Sequence, residues 1–112
     1  MQKFEYRTPR YLVDLPVRLN LQNGSVAGKC REIGNEGMRV EFKEPVSADT
    51  CGTVCINYRD LSLELRVSVA HAVGDYKGLK FLFESEKDRM CVERLVLLLA
   101  GSAGQPGPVL VR

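Results

Sequence analysis

Leu61-Ser62-Leu63-Glu64-Leu65-Arg66-Val67-Ser68-Val69 is the stretch that decides the fold. Leucine and valine take every second position, and Glu64, Arg66 and Ser68 stand between them. Successive side chains of a strand point to opposite faces, so a period of two buries one face and leaves the other in water. The alternation predicts a long strand over Leu61–Val73, which Gly74-Asp75 ends in a turn.

The same period runs outward in both directions. Upstream, Thr53 to Tyr58 reads as a strand, and Met38, Val40 and Phe42 face opposite to Arg39 and Glu41 in another. Leu15, Val17, Leu19 and Leu21 alternate with Pro16, Arg18 and Asn20. Asn23-Gly24 then predicts a tight hairpin, because both residues tolerate positive φ, with a second strand from Ser25 to about Ile33. The glycine-bracketed turn Gly34-Asn35-Glu36-Gly37 follows it. Downstream, Leu79, Phe81 and Phe83 make the apolar face of a sixth strand. Six strands at short spacing predict a mainly β protein, an antiparallel barrel closed or nearly closed, since closure removes aggregation-prone edges.

A different period ends the chain. Ser85-Glu86-Lys87-Asp88 resembles a capping box, and Cys91, Val92, Leu95, Leu98 and Leu99 recur at helical spacing until Gly101 offers a stop. One C-terminal α-helix is predicted. Val96 and Leu97 exceed the stripe a barrel-facing helix requires, which makes them the candidate surface for a partner protein or for a homodimer. Residues 101–112 carry three glycines and two prolines and read as a flexible tail. The organisation expected is an arginine-bearing segment over 1–11, barrel and helix over 12–100, and the tail.

Composition bounds the function. A chain of 112 residues has room for one hydrophobic core, and 45% hydrophobic with 27% charged residues is ordinary for a globular domain. A net charge of +2 points to no DNA or RNA polymer as partner. The longest apolar run, Leu95 to Ala100, is far below the ~20 residues of a membrane span. With no signal-peptide pattern at the start, no membrane insertion is expected and the reading is cytoplasmic.

Catalytic equipment is sparse. The sequence lacks a Gly-x-Ser-x-Gly elbow, a phosphate-cradling loop with lysine and a His-Glu-x-x-His helix, so no enzyme is expected. His71 stands alone and, by strand parity with Val69 and Val73, reads as a core or rim histidine. Cys30, Cys51, Cys55 and Cys91 lack the paired short spacing of a zinc site and read as reduced, small buried hydrophobes, so no metal or cofactor is expected.

What remains is a basic, aromatic segment, Tyr6-Arg7-Thr8-Pro9-Arg10-Tyr11, and the turn Glu32-Ile33-Gly34-Asn35-Glu36-Gly37. Six strands, a final helix, arginines ahead of strand one and a glycine-ended turn after strand two together resemble the PilZ domain, over about Tyr6 to Ala100. The resemblance implies a regulatory domain in bacterial motility, pilus or exopolysaccharide control, with cyclic di-GMP as its ligand. In that family Arg-x-x-x-Arg precedes the first strand, and Asp or Asn, x, Ser, x, x, Gly forms the turn. Arginine suits this task because its planar fork pairs with phosphate oxygens or with guanine O6 and N7, and its flat face stacks on a base.

This sequence departs from both motifs. Tyr6 replaces the first arginine while Arg10 is kept; Glu32 replaces Asp or Asn, Gly34 replaces serine, and Gly37 matches. A lost bidentate arginine contact and a lost charged hydrogen bond together lower affinity by a factor on the order of 10² to 10⁴. Arg7 beside Tyr6 can swing toward the missing role, and Tyr6 can stack on guanine. The expectation is therefore an adaptor that contacts another protein, with weak or lost cyclic di-GMP binding. The alternative is a working receptor that uses Arg7 and Arg10.

Overall fold

The computed structural model describes residues 10–102, with the side chains of 71–73 and 102 outside that description. β1 (Arg10–Leu21), β2 (Gly24–Gly34), β3 (Gly37–Phe42), β4 (Cys51–Tyr58), β5 (Leu61–Val73) and β6 (Tyr76–Phe81) precede α1 (Glu86–Ser102). All neighbouring strands pair antiparallel. The order β1-β2-β3-β6-β5-β4 closes into a barrel, as the alternation predicted.

Alternation decides what lies inside. Leu15, Val17 and Leu19 are buried, as are Leu63, Leu65, Val67 and Val69, while Arg18, Glu64 and Arg66 are exposed. Lys77 breaks the pattern: it shares the inward face of β6 with Leu79 and Phe81, and its ammonium satisfies itself by donating to the Gly74 carbonyl at 2.5 Å. A lysine stem can line an apolar interior when its head reaches an acceptor at the end of the barrel.

Several boundaries differ from those read in the sequence. β1 begins at Arg10, well before Leu15, because Arg10, Tyr11 and Leu12 find partners in Gly34, Ile33 and Glu32 of β2. Two residues of the expected leading segment thus belong to the barrel. The first hairpin turns on Gln22-Asn23, with Leu21 paired to Gly24, so the positive φ falls on Gly24 at 143° and not on Asn23. β6 ends at Phe81; Phe83 lies beyond it with its ring 5.8 Å from that of Phe81.

The helix starts where its cap is. Ser85 Oγ accepts from the Asp88 amide at 3.3 Å, and the Asp88 carboxylate reaches back to the Glu84 amide at 3.0 Å. The first bond satisfies a first-turn donor that has no partner within the helix, and the second ties down the residue ahead of the cap. The expected stop at Gly101 does not act, and the helix runs through Ser102. The buried face also corrects the expected one. Val92, Leu95, Val96 and Leu99 are buried, at spacings of three and four that share one stripe, while Cys91 and Leu98 flank it half-buried. Val96 is core, 5% exposed, and no partner surface; Leu97, 73% exposed, does face solvent.

Candidate functional site

A one-residue irregularity in β2 builds the site. Cys30 pairs with Val40 of β3, but the next pair is Glu32 with Arg39, so Arg31 is an extra residue in the strand. β1 absorbs the same irregularity between Leu12 and Leu15. A bulge resets the parity of everything after it. Cys30 and Ile33 are both fully buried, while Arg31 and Glu32 both meet the outward-facing residues of β3.

Glu32 is the centre of this outer patch. It is only 7% exposed although it lies outside the barrel, because Arg39 and Arg10 flank it. Its Oε2 accepts from an Arg39 guanidinium nitrogen at 3.3 Å. Its Oε1 faces Arg10 at 3.8 Å, beyond hydrogen-bond reach, and has no hydrogen-bond partner among the described residues. An unmet buried acceptor costs about 1–3 kcal/mol, and more when charged.

Arg10 comes to the carboxylate because it pairs with Gly34, directly across β1 and β2. Arg39 comes from β3, and its guanidinium lies 4.8 Å from the centre of the Tyr76 ring of β6. Arg39 pairs with Gly78 and Gly37 with Lys80, so glycine gaps alternate with cations across the two strands. The result is a cleft of about 470 Å³ lined by Arg10, Arg39, Tyr76 and Lys80 together with Glu36, Gly37 and Gly78. Beside it, Arg31 bonds Glu41 and Asp14, and the Glu41 hydrogen bond holds its guanidinium above the ordinary arginine range.

Of the residues singled out by sequence, Arg10, Glu32, Gly34 and Gly37 meet on this face. Tyr6 and Arg7 lie outside the described residues, as does the side chain of His71. The register shift between Val69 and His71 also removes the parity by which His71 was placed. Gly37 has a packing reason of its own: a Cβ there would sit 2.5 Å from the Leu79 carbonyl oxygen. Arg39, Tyr76 and Lys80 were missed as site residues, although the alternation of Met38, Val40 and Phe42 already set Arg39 on the outer face.

The cysteines separate. Cys30 is a core residue, its thiol pushed up to about 12 by burial, whereas Cys51 is exposed and Cys55 and Cys91 are half-buried. The expectation of small buried hydrophobes thus holds for Cys30 and fails for Cys51, which begins β4 at the end of the barrel. No group of three or more metal-ligating side chains gathers among the described residues.

A family model for the PilZ domain matches residues 5–98. The chain belongs to the PilZ domain family. Solved PilZ-like structures share its fold. The PilZ domain of CeSA from a cellulose-synthesizing bacterium has a TM-score of 0.70 at 19% identity, with 80% of this chain and 96% of that one covered. MrkH of K. pneumonia in its complex with c-di-GMP has a TM-score of 0.71 at 19% identity. The Bacillus subtilis inhibitor of motility, MotI/DgrA, has 0.71 at 10%. The chain is covered to 92% and 94% in these last two comparisons and spans 55% of the length of each protein. No curated protein sequence matches the chain. Among the described residues of this PilZ domain, no helix is long and apolar enough to cross a membrane.

Proposed function

We propose that this PilZ domain is a regulatory adaptor that acts through contacts with another protein, and that its cyclic di-GMP binding is weak or lost. Control of motility, pili or exopolysaccharide is the process we assign to it, on family membership and on likeness to an inhibitor of motility and a cellulose-associated PilZ domain. The observation that carries the reading is the Glu32 carboxylate, buried between Arg10 and Arg39. An internal anion competes with a ligand phosphate for the guanidinium groups that would hold it. Gly34, opposite Arg10, supplies no hydroxyl, and Tyr6 supplies no guanidinium.

One observation favours the alternative, a working cyclic di-GMP receptor using Arg7 and Arg10. Arg10 stands 3.8 Å from Glu32 without a hydrogen bond and is about one-third exposed, so little restrains it from turning to a phosphate. Calorimetric titration with cyclic di-GMP separates the two. The natural chain should bind weakly or not at all. Tyr6→Arg, Glu32→Asp and Gly34→Ser together should raise affinity by about an order of magnitude or more. Low-micromolar binding by the natural chain overturns the adaptor reading.

A further inference from the structure

We infer that α1 pairs side by side, in parallel, with α1 of a second copy of this chain, through the face that carries Met90, Arg94 and Leu97. The inference goes beyond the adaptor reading and does not depend on it, since self-association needs neither another protein nor a nucleotide.

The helix period sets the face. Val92, Leu95, Val96 and Leu99 turn into the barrel, and the opposite side of the helix is exposed. Along that side Lys87, Met90, Arg94, Leu97 and Gly101 follow one another at alternating intervals of three and four, the spacing of the seam residues in a pair of packed helices. The described residues expose three large apolar side chains, and two of them, Met90 and Leu97, stand on this seam; the third, Leu12, is on the barrel. Half-buried Cys91 and Leu98 border the seam on one side, exposed Glu86 and Glu93 on the other.

Charge says what lies on the face and which way it runs. In a parallel pair related by a two-fold axis along the helices, Arg94 inserts among Met90, Glu93, Arg94 and Leu97 of the second copy, and its guanidinium meets that Glu93 carboxylate. Symmetry makes the contact twice, and Lys87 meets Glu86 of the second copy in the same way. In an antiparallel pair each border faces its own copy instead, so the Glu86 and Glu93 border would confront itself, like charge against like. Within the chain, Lys87, Glu93 and Arg94 have no ion-pair partner among the described residues. Arg89 differs, held by Glu86 at 3.7 Å and over the Phe83 ring at 4.7 Å. Glu93 and Arg94 are adjacent in sequence and do not face each other on one helix, so a second copy supplies the partner that their own helix does not.

The barrel lies behind the helix, on the side away from the seam, so the two barrels stand on the outer flanks of the pair. A single helix of 17 residues covers less than the ~1,600 Å² of a standard stable interface, and charged residues share the seam. The dimer is therefore weak and concentration-dependent.

The test is sedimentation equilibrium of the full chain from about 10 μM to about 1 mM, under reducing conditions that exclude disulfide links through exposed Cys51. The natural chain should pass from monomer to dimer across this range. Leu97→Glu should stay monomeric with an unchanged far-ultraviolet circular dichroism spectrum. Glu93→Arg and Arg94→Glu should each weaken the dimer by about fivefold or more, and the two together should restore most of the loss, because the exchanged charges again meet across the pair. Leu12→Ser should dimerise as the natural chain does.

A natural chain that is monomeric throughout overturns the proposal and leaves this face open to a different protein, as the adaptor reading requires. A dimer that survives Leu97→Glu overturns it too, since the contact then lies elsewhere. A double variant no tighter than the single ones overturns the parallel pairing, and the charge exchange decides alone if Leu97→Glu does not fold. None of these outcomes bears on the cyclic di-GMP titration, so the two readings fail separately.

Discussion

Gly37 closes the turn motif by sequence, yet its place in the sheet explains it without any ligand. Its missing Cβ leaves room for the Leu79 carbonyl oxygen, which belongs to the backbone and cannot swing aside. Gly37→Ala should therefore destabilise the fold by about 1–3 kcal/mol, the usual cost of forcing an atom into filled space. Urea unfolding followed by circular dichroism measures it, and an alanine variant as stable as the natural chain would show that β3 and β6 can part locally. Glu32 is the opposite case. The motif comparison picked out the residue, but its burial comes from Arg10 and Arg39 closing over it from two other strands, and no reading of neighbours along the chain contains that. Arg39 and Tyr76 were equally invisible as a pair. Their contact depends on the register of β3 against β6, which the period of two does not specify.

Among the elements, strands were legible where alternation was clean, and their ends were not. β5 runs over Leu61–Val73 as its alternation predicts. β1 starts at Arg10 because β2 provides hydrogen-bond partners there, a tertiary cause with no local signature. The helix shows the same limit. A stripe of apolar residues was expected, but a leucine- and valine-rich segment allows more than one stripe, and the barrel selects the one through Val96. The face left in water carries Met90 and Leu97, seven residues apart and 60% and 73% exposed. Leu97→Glu should change stability by no more than about 0.5 kcal/mol, whereas Leu95→Ala, 1% exposed, should cost about 2–5 kcal/mol. If Leu97 belongs to a partner face, Leu97→Glu also abolishes self-association or pull-down at unchanged melting temperature. Association that survives it places the contact elsewhere on the molecule.

At the scale of the whole molecule, six strands and one helix should give a far-ultraviolet circular dichroism spectrum dominated by strand signal with a minor helical part. A helix-dominated spectrum would be incompatible with the barrel. The closure of that barrel also restricts how this PilZ domain can be recognised. Many signalling domains receive an extended peptide as an additional strand, and such recognition takes its affinity from unpaired amides along a sheet edge. Where β4 and β1 shut the ring, over Val17–Asn20 against Thr53–Ile56, the two strands already pair with each other. A partner docking on this girdle must read side chains instead, and its specificity will reside in shape and charge with no main-chain template to fall back on.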